Sequence, residues 1–194
     1  MNVKQIFASS IPLINYSSVW DIPDIAPERY DELTDIGWDI VETTLEAPWA
    51  TSTHAGVLAF DPGWAEVGLC SLQRGWVRLW QCNMKSGKQY KNPPASEIAR
   101  RIHLLIEAFA DNYSSPYVVE NSAFGKPFGQ SNLGLVRGVF AGHALSNDAE
   151  FWAYAPSQIK AAVHSTKIDY HKTSPHYGDA LAAFAIALAA AKEL

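Results

Sequence analysis

Two short apolar runs, each ending in a carboxylate, set the main constraint on this chain: Gly-Val-Leu-Ala-Phe-Asp at 56–61 and Tyr-Val-Val-Glu at 117–120. A continuous apolar run of this length, bounded by turn residues, reads as a strand buried on both faces. Such a strand belongs in a sheet covered by helices on both sides. Pro62-Gly63 follows the first run, so Asp61 is presented at a tight turn on a rigid support. Taken alone, an Asp in that place either opens the turn with its side chain or ligates a cation.

The rest of the chain supplies the context. Residues 65–72 and 76–82 alternate more than 56–60, with Gln73-Arg74-Gly75 between them, which predicts three antiparallel strands in a meander. Residues 94–112 carry Ile98, Ile102, Leu105, Ile106 and Phe109 at helical spacing. After the strand at 117–120, residues 122–130 read as a loop rich in Gly, Pro and Phe. A helix over 131–145 follows, whose Gly138, Ala141 and Gly142 let another helix approach closely. Residues 150–155 form a further strand, leading into Ser157-Gln158-Ile159-Lys160. The last helix is signalled by Ser174 as N-cap, Pro175 at the first position and strong helix formers from Asp179 to Ala191. This start puts His176 and Asp179 three residues apart on one face. A lone His there is ordinarily a surface or capping residue; beside Asp179 and two strand-end carboxylates it is a candidate ligand.

Composition excludes a disordered chain, since 48% hydrophobic and 12% aromatic residues are ample for a core. Cys70 and Cys82 fall in one predicted hairpin at positions that do not face each other, so they are expected to be free thiols of a reducing compartment. No basic segment followed by an apolar one opens the chain, and residues 180–191 are too short to cross a bilayer, which leads us to expect a cytoplasmic protein, neither secreted nor in a membrane. The net charge of −5 is unevenly distributed: residues 1–54 hold two basic and nine acidic residues, a net −7, and residues 55–194 hold thirteen basic and eleven acidic, a net +2. If several of the later acids occupy a metal site, the outer surface of 55–194 is basic enough for nucleic acid. The basic loop with Lys85 and Lys88 lacks the spacing of a P-loop.

Residues 1–54 carry no catalytic motif, yet Trp20, Tyr30, Leu33, Trp38, Leu45 and Trp49 make them too apolar for a solvated linker. Pro27 and Gly37 bracket a short helix. We therefore divide the chain into an acidic N-terminal extension, 1–54, and a second segment, 55–194; the extension either clamps to the main domain or docks a protein partner.

The order of three strands, helix, strand, helix, strand, helix is that of the ribonuclease H-like α/β fold, a mixed five-stranded sheet flanked by helices. On its AFDPG at 59–63, VVEN at 118–121, LGLVRG at 133–138, Ser157-Gln158-Ile159-Lys160 and HYGDALAAFAIA at 176–187, residues 55–194 resemble the RuvC family of Holliday-junction resolvases. The resemblance implies a structure-specific endonuclease that hydrolyses branched DNA with two Mg²⁺ ions per site, Mn²⁺ substituting. Hard cations take oxygen ligands, so Asp61, Glu120 and Asp179 suit the metal, and His176, the fourth site residue that the resemblance implies, either ligates metal, orients water or shuttles a proton. Lys160 matches a basic residue that the family places near the scissile phosphate; its plainer role is an exposed helix lysine. The resemblance also implies a homodimer through the helix at 131–145. Phe124, Lys126, Arg137, Lys85, Lys88, Lys167 and Lys172 are candidate DNA contacts, with Phe124 or Phe128 either stacking on an unpaired base or packing inward. Three departures mark a divergent member, of phage or mobile-element type: the short interval from Lys160 to His176, Trp64 directly after DPG, and the acidic extension. The competing function is a catalytically silent RuvC-like nucleic-acid-binding or scaffold subunit. An ATP-handling relative ranks last, for want of a second phosphate loop.

Overall fold

The computed structural model describes residues 27–46, 57–63, 65–73, 76–84, 93–110, 116–121, 130–166 and 178–190. Their elements are α1 (Pro27–Asp35), β1 (Trp38–Glu46), β2 (Val57–Asp61), β3 (Glu66–Gln73), β4 (Trp76–Met84), α2 (Ala95–Ala110), β5 (Tyr117–Glu120), α3 (Gln130–Ser146), β6 (Phe151–Tyr154), α4 (Pro156–Thr166) and α5 (Gly178–Ala190). The strands form one mixed sheet in the order β1-β4-β3-β2-β5-β6, in which β2, β5 and β6 are parallel and the remaining pairs antiparallel. This is the expected ribonuclease H-like arrangement with one correction. The sheet has six strands where five were expected, because the acidic segment supplies β1, which pairs with β4 along its whole length. Asp39, Glu42 and Glu46 interrupt the apolar positions of β1, and such charges are tolerated because β1 lies at the sheet edge.

Alternation along the strands sorts side chains to two faces. One face buries Val57, Ala59, Cys70, Leu79 and Val118 against Ile159 of α4 and the Ala-rich α5, whose residues 182–190 are all buried. The small side chains of α5 let it lie close on the sheet. The other face buries Leu58, Phe60, Leu69, Trp80, Tyr117 and Val119 against Ile102, Ile106 and Phe109 of α2 and Val136 and Phe140 of α3. Cys70 and Cys82 lie on opposite faces, opposite Leu79 and Val67 respectively, so these free thiols do not face each other, as expected; burial pushes both thiol pKa values well up.

The segment 27–46 is built into the second layer. Leu33 and Trp38 are fully buried, and the Trp38 indole N–H donates to the Arg101 carbonyl of α2 at 3.4 Å. Glu42 of β1 pairs with the buried Arg78 of β4. Gly37, at φ 102°, makes the left-handed step between α1 and β1 that a side chain would resist. Among the described residues no helix is long and apolar enough to cross a membrane.

Candidate active site

The site follows from register. Asp61 pairs with Gly68 on β3, and Gly68 pairs with Gln81 on β4. On the other side, the parallel pairing of Phe60 with Val119 sets Asp61 and Glu120 at the carboxyl ends of adjacent strands. Alternation puts Gln81, Gly68, Asp61 and Glu120 in one row on the α5 face. Carboxyl ends of parallel strands are where open α/β sheets bind ligands. Both carboxylates are half-buried, held at the ends of strands whose preceding residues are fully buried.

Asp179, in the first turn of α5, joins this row through Gln81. The Gln81 Nε2 donates to Asp179 Oδ2 at 2.8 Å and to Asn83 Oδ1 at 3.0 Å, while Gln81 Oε1 accepts from the Asp179 backbone N–H at 3.0 Å. The amide thus satisfies an otherwise unpaired helix-start donor and fixes the carboxylate in one orientation. Gly68 presents no side chain between Gln81 and Asp61, where α5 docks. Gln81 is almost fully buried, so its orientation is set by packing as well as by these bonds. Were a divalent cation held by these carboxylates, Gln81→Leu would weaken its binding about 10–100-fold, the usual cost of losing a residue that orients a ligand. A Mn²⁺-binding titration, with circular dichroism to confirm folding, checks this; an unchanged midpoint would remove Gln81 from the positioning role.

Asp61 and Asp179 line an open cleft of about 260 Å³ with Pro62, Gly63, Ala65 and Glu66. Gly63 is required by close approach: a Cβ there would sit 2.1 Å from the Glu66 carbonyl oxygen. The turn after Asp61 therefore folds back against β3 and brings the exposed Glu66 to the cleft as a further acid. From the other layer, α3 brings Arg137 within electrostatic reach of Glu120 and Asp61. Partial burial lowers the Arg137 pKa, and the two carboxylates act in the opposite direction. The guanidinium stays charged, so it balances part of the negative charge gathered there. Lys160 is exposed on α4. His176, Lys85, Lys88, Phe124, Lys126, Phe128, Lys167 and Lys172 lie outside the described residues.

No protein-family model and no curated protein matches the sequence. Solved structures do match. Thermus thermophilus RuvC in complex with a Holliday-junction substrate aligns with a TM-score of 0.52 and 24% identity, over 70% of this chain and 92% of that one. A second structure of RuvC from the same organism aligns with a TM-score of 0.52 and 23% identity, over 69% and 92%. The chain has a RuvC-like fold. Within it, the three strand-end and helix-start acids singled out from the sequence stand on elements that the fold brings to one end of the sheet, at the carboxyl ends of β2 and β5. Gln81 and Glu66 were missed. Gln81 had a signal: it is the one polar residue in the series Val77, Leu79, Gln81 on a buried strand face. Glu66 had none, because a Glu at the start of a strand is ordinarily solvated.

Proposed function

We propose that this chain is a divalent-metal-dependent endonuclease that nicks branched DNA, with the four-way junction as its substrate. The observation that carries the reading is the convergence of Asp61, Glu120 and Asp179 at the carboxyl ends of β2 and β5 in a RuvC-like fold, with Gln81 holding Asp179 in place. The RuvC of known structure was solved with a Holliday junction, which supports the choice of substrate.

Among the described residues the donors are carboxylate oxygens, which fit a hard cation, beside a solvent-open cleft with a further acid at its rim. Asp61, Glu120 and Asp179 would hold Mg²⁺ or Mn²⁺, which would supply neutralisation of the charge that develops on the attacking and leaving oxygens. In the hydrolysis, a water oxygen bonds to phosphorus, one P–O ester bond breaks, and the leaving sugar oxygen takes up a proton. Asp61 and Glu120, fixed on strand ends, keep the centre rigid. Asp179 enters on a helix and is locked by Gln81. His176, three residues before Asp179, is assigned the proton transfer, and Lys160 a phosphate contact.

Resolving a junction symmetrically needs two sites, and α3 is the proposed dimer face. Gly134, Gly138 and Gly142 are exposed along it, a Cβ built on any of them meets nothing within 4 Å, and Leu145 near its end is 75% exposed. The deciding experiment incubates the chain with a four-way junction, a flap and a linear duplex, each with Mg²⁺ and with EDTA. Nicking of the junction in Mg²⁺ alone, with the linear duplex intact, is the expected result. Junction binding without cleavage in Mg²⁺ or Mn²⁺ would instead make the chain a silent binding subunit.

A further inference from the structure

Two ring contacts fix where each turn of α3 lies over the sheet. Phe140 packs on Phe60 of β2, ring centroids 4.2 Å apart, and His143 stacks on Tyr117, the first residue of β5. Tyr117 pairs with Leu58, two residues before Phe60, so α3 runs antiparallel to β2 and β5 and its earlier turns lie toward their carboxyl ends. Arg137, one turn before Phe140, is about 4.5 Å further along the helix axis. Asp61 is about 3.3 Å beyond Phe60 along β2. Backbone placement alone thus sets Arg137 level with Asp61 and its neighbour Glu120.

The Arg137 side chain turns inward. Val136, Phe140 and Ala144 are the fully buried stripe of α3, and Arg137 flanks it, half-buried, with its Nε out of contact with solvent. Gly134, Gly138 and Gly142 hold the exposed side of the helix, from which a basic residue would reach out to DNA. Two carboxylates, Glu120 and Asp61, act on the guanidinium. A partly desolvated arginine is costly unless anions face it, and two carboxylates on adjacent strand ends repel each other unless a cation faces them. Each group supplies what the other lacks.

We propose that Arg137 is a positioning residue, the built-in counter-cation that holds Asp61 and Glu120 in place in the metal-free chain and yields that role to a divalent ion. The inference rests on the metal centre of the nuclease reading, and it gives Arg137 a role other than the DNA contact expected of it. Its effect on metal is opposite to that of Gln81. Losing the Gln81 clamp weakens metal binding, whereas losing the counter-cation tightens it, because a positive charge leaves the vicinity of the ion. In the full chain, Arg137→Gln is expected to tighten Mn²⁺ binding on the order of fivefold, and Arg137→Lys to leave it near the unsubstituted value. In EDTA the Gln variant is expected to unfold several °C lower than the unsubstituted chain, and in saturating Mn²⁺ close to it. A side chain needed only for packing would lower both midpoints equally. A double-mutant cycle in EDTA adds a test that needs no metal: Arg137→Gln is expected to lower the midpoint less in a Glu120→Gln chain. If the unsubstituted chain fails to bind Mn²⁺, the metal centre falls and the takeover with it, while coupling in the cycle still upholds the pairing. Mn²⁺ affinity that is unchanged or weaker in Arg137→Gln, or a cycle without coupling, overturns the proposal. So does a loss of junction affinity with a salt slope smaller by about one, the mark of a phosphate contact.

Discussion

Asp61→Asn and Glu120→Gln are each expected to lower Mg²⁺-dependent cleavage of a four-way junction by about 10³-fold or more, while junction binding in EDTA is retained. Both changes keep the shape of the side chain and remove one negative charge from a strand end. Each therefore leaves the buried strand residues before it untouched. What is lost is a hard anionic oxygen at the site where a divalent ion would contribute several kcal/mol of charge stabilisation in the transition state. At about 1.4 kcal/mol per decade of rate, several kcal/mol corresponds to about three decades. Arg137 sharpens the contrast, since each substitution takes away one of the two carboxylates that face it and leaves the other. Single-turnover cleavage gels read the loss, and mobility shifts read binding. Cleavage that survives in both variants would sink the proposed mechanism.

Trp38→Ala is expected to destabilise the chain by about 3–5 kcal/mol, the usual range for truncating a buried aromatic to Ala. For a chain of this size that lowers the unfolding midpoint by on the order of 10 °C. Trp38 is at 0% exposure, its indole N–H reaches the Arg101 carbonyl, and its strand is paired with β4 from Trp38 to Glu46. Removing residues 1–46 goes further: it strips β1 from the sheet, opens the edge of β4 and uncovers core that Leu33 and Trp38 close. An uncovered edge of that length pairs with other chains, so aggregation of the truncated chain is the expected outcome. Thermal unfolding of Trp38→Ala and light scattering of the truncation check both statements. An unchanged midpoint, or a soluble monomeric 47–194, would make the acidic segment a separable docking arm and not part of the core.

Much of this was legible in the residue pattern, for local reasons. The runs at 57–61 and 117–120 are apolar on both faces and stop at polar residues, so both strands and the place of Asp61 and Glu120 at their ends could be read directly. Pro27 and Gly37 marked α1 through one fixed and one positive φ. The strand β1 escaped because its charges sit among its apolar residues: Glu42 is accommodated by Arg78, which lies 36 positions later and across the ladder. Arg137 was legible as a basic residue in a helix, which suggested DNA; its proximity to Glu120 and Asp61 depends on where α3 crosses the end of the sheet.

The sequence by itself determined the elements other than β1, the two strand-end carboxylates and the helix that carries Asp179, because burial periodicity, turns and caps act within a few residues. Tertiary structure alone decided which of these meet. The Gln81 clamp on Asp179 spans 98 positions, and the Gln81–Gly68–Asp61 row exists only once three strands share one register. A slip of one residue in any of them would turn its side chain to the other layer, and no local pattern encodes that choice.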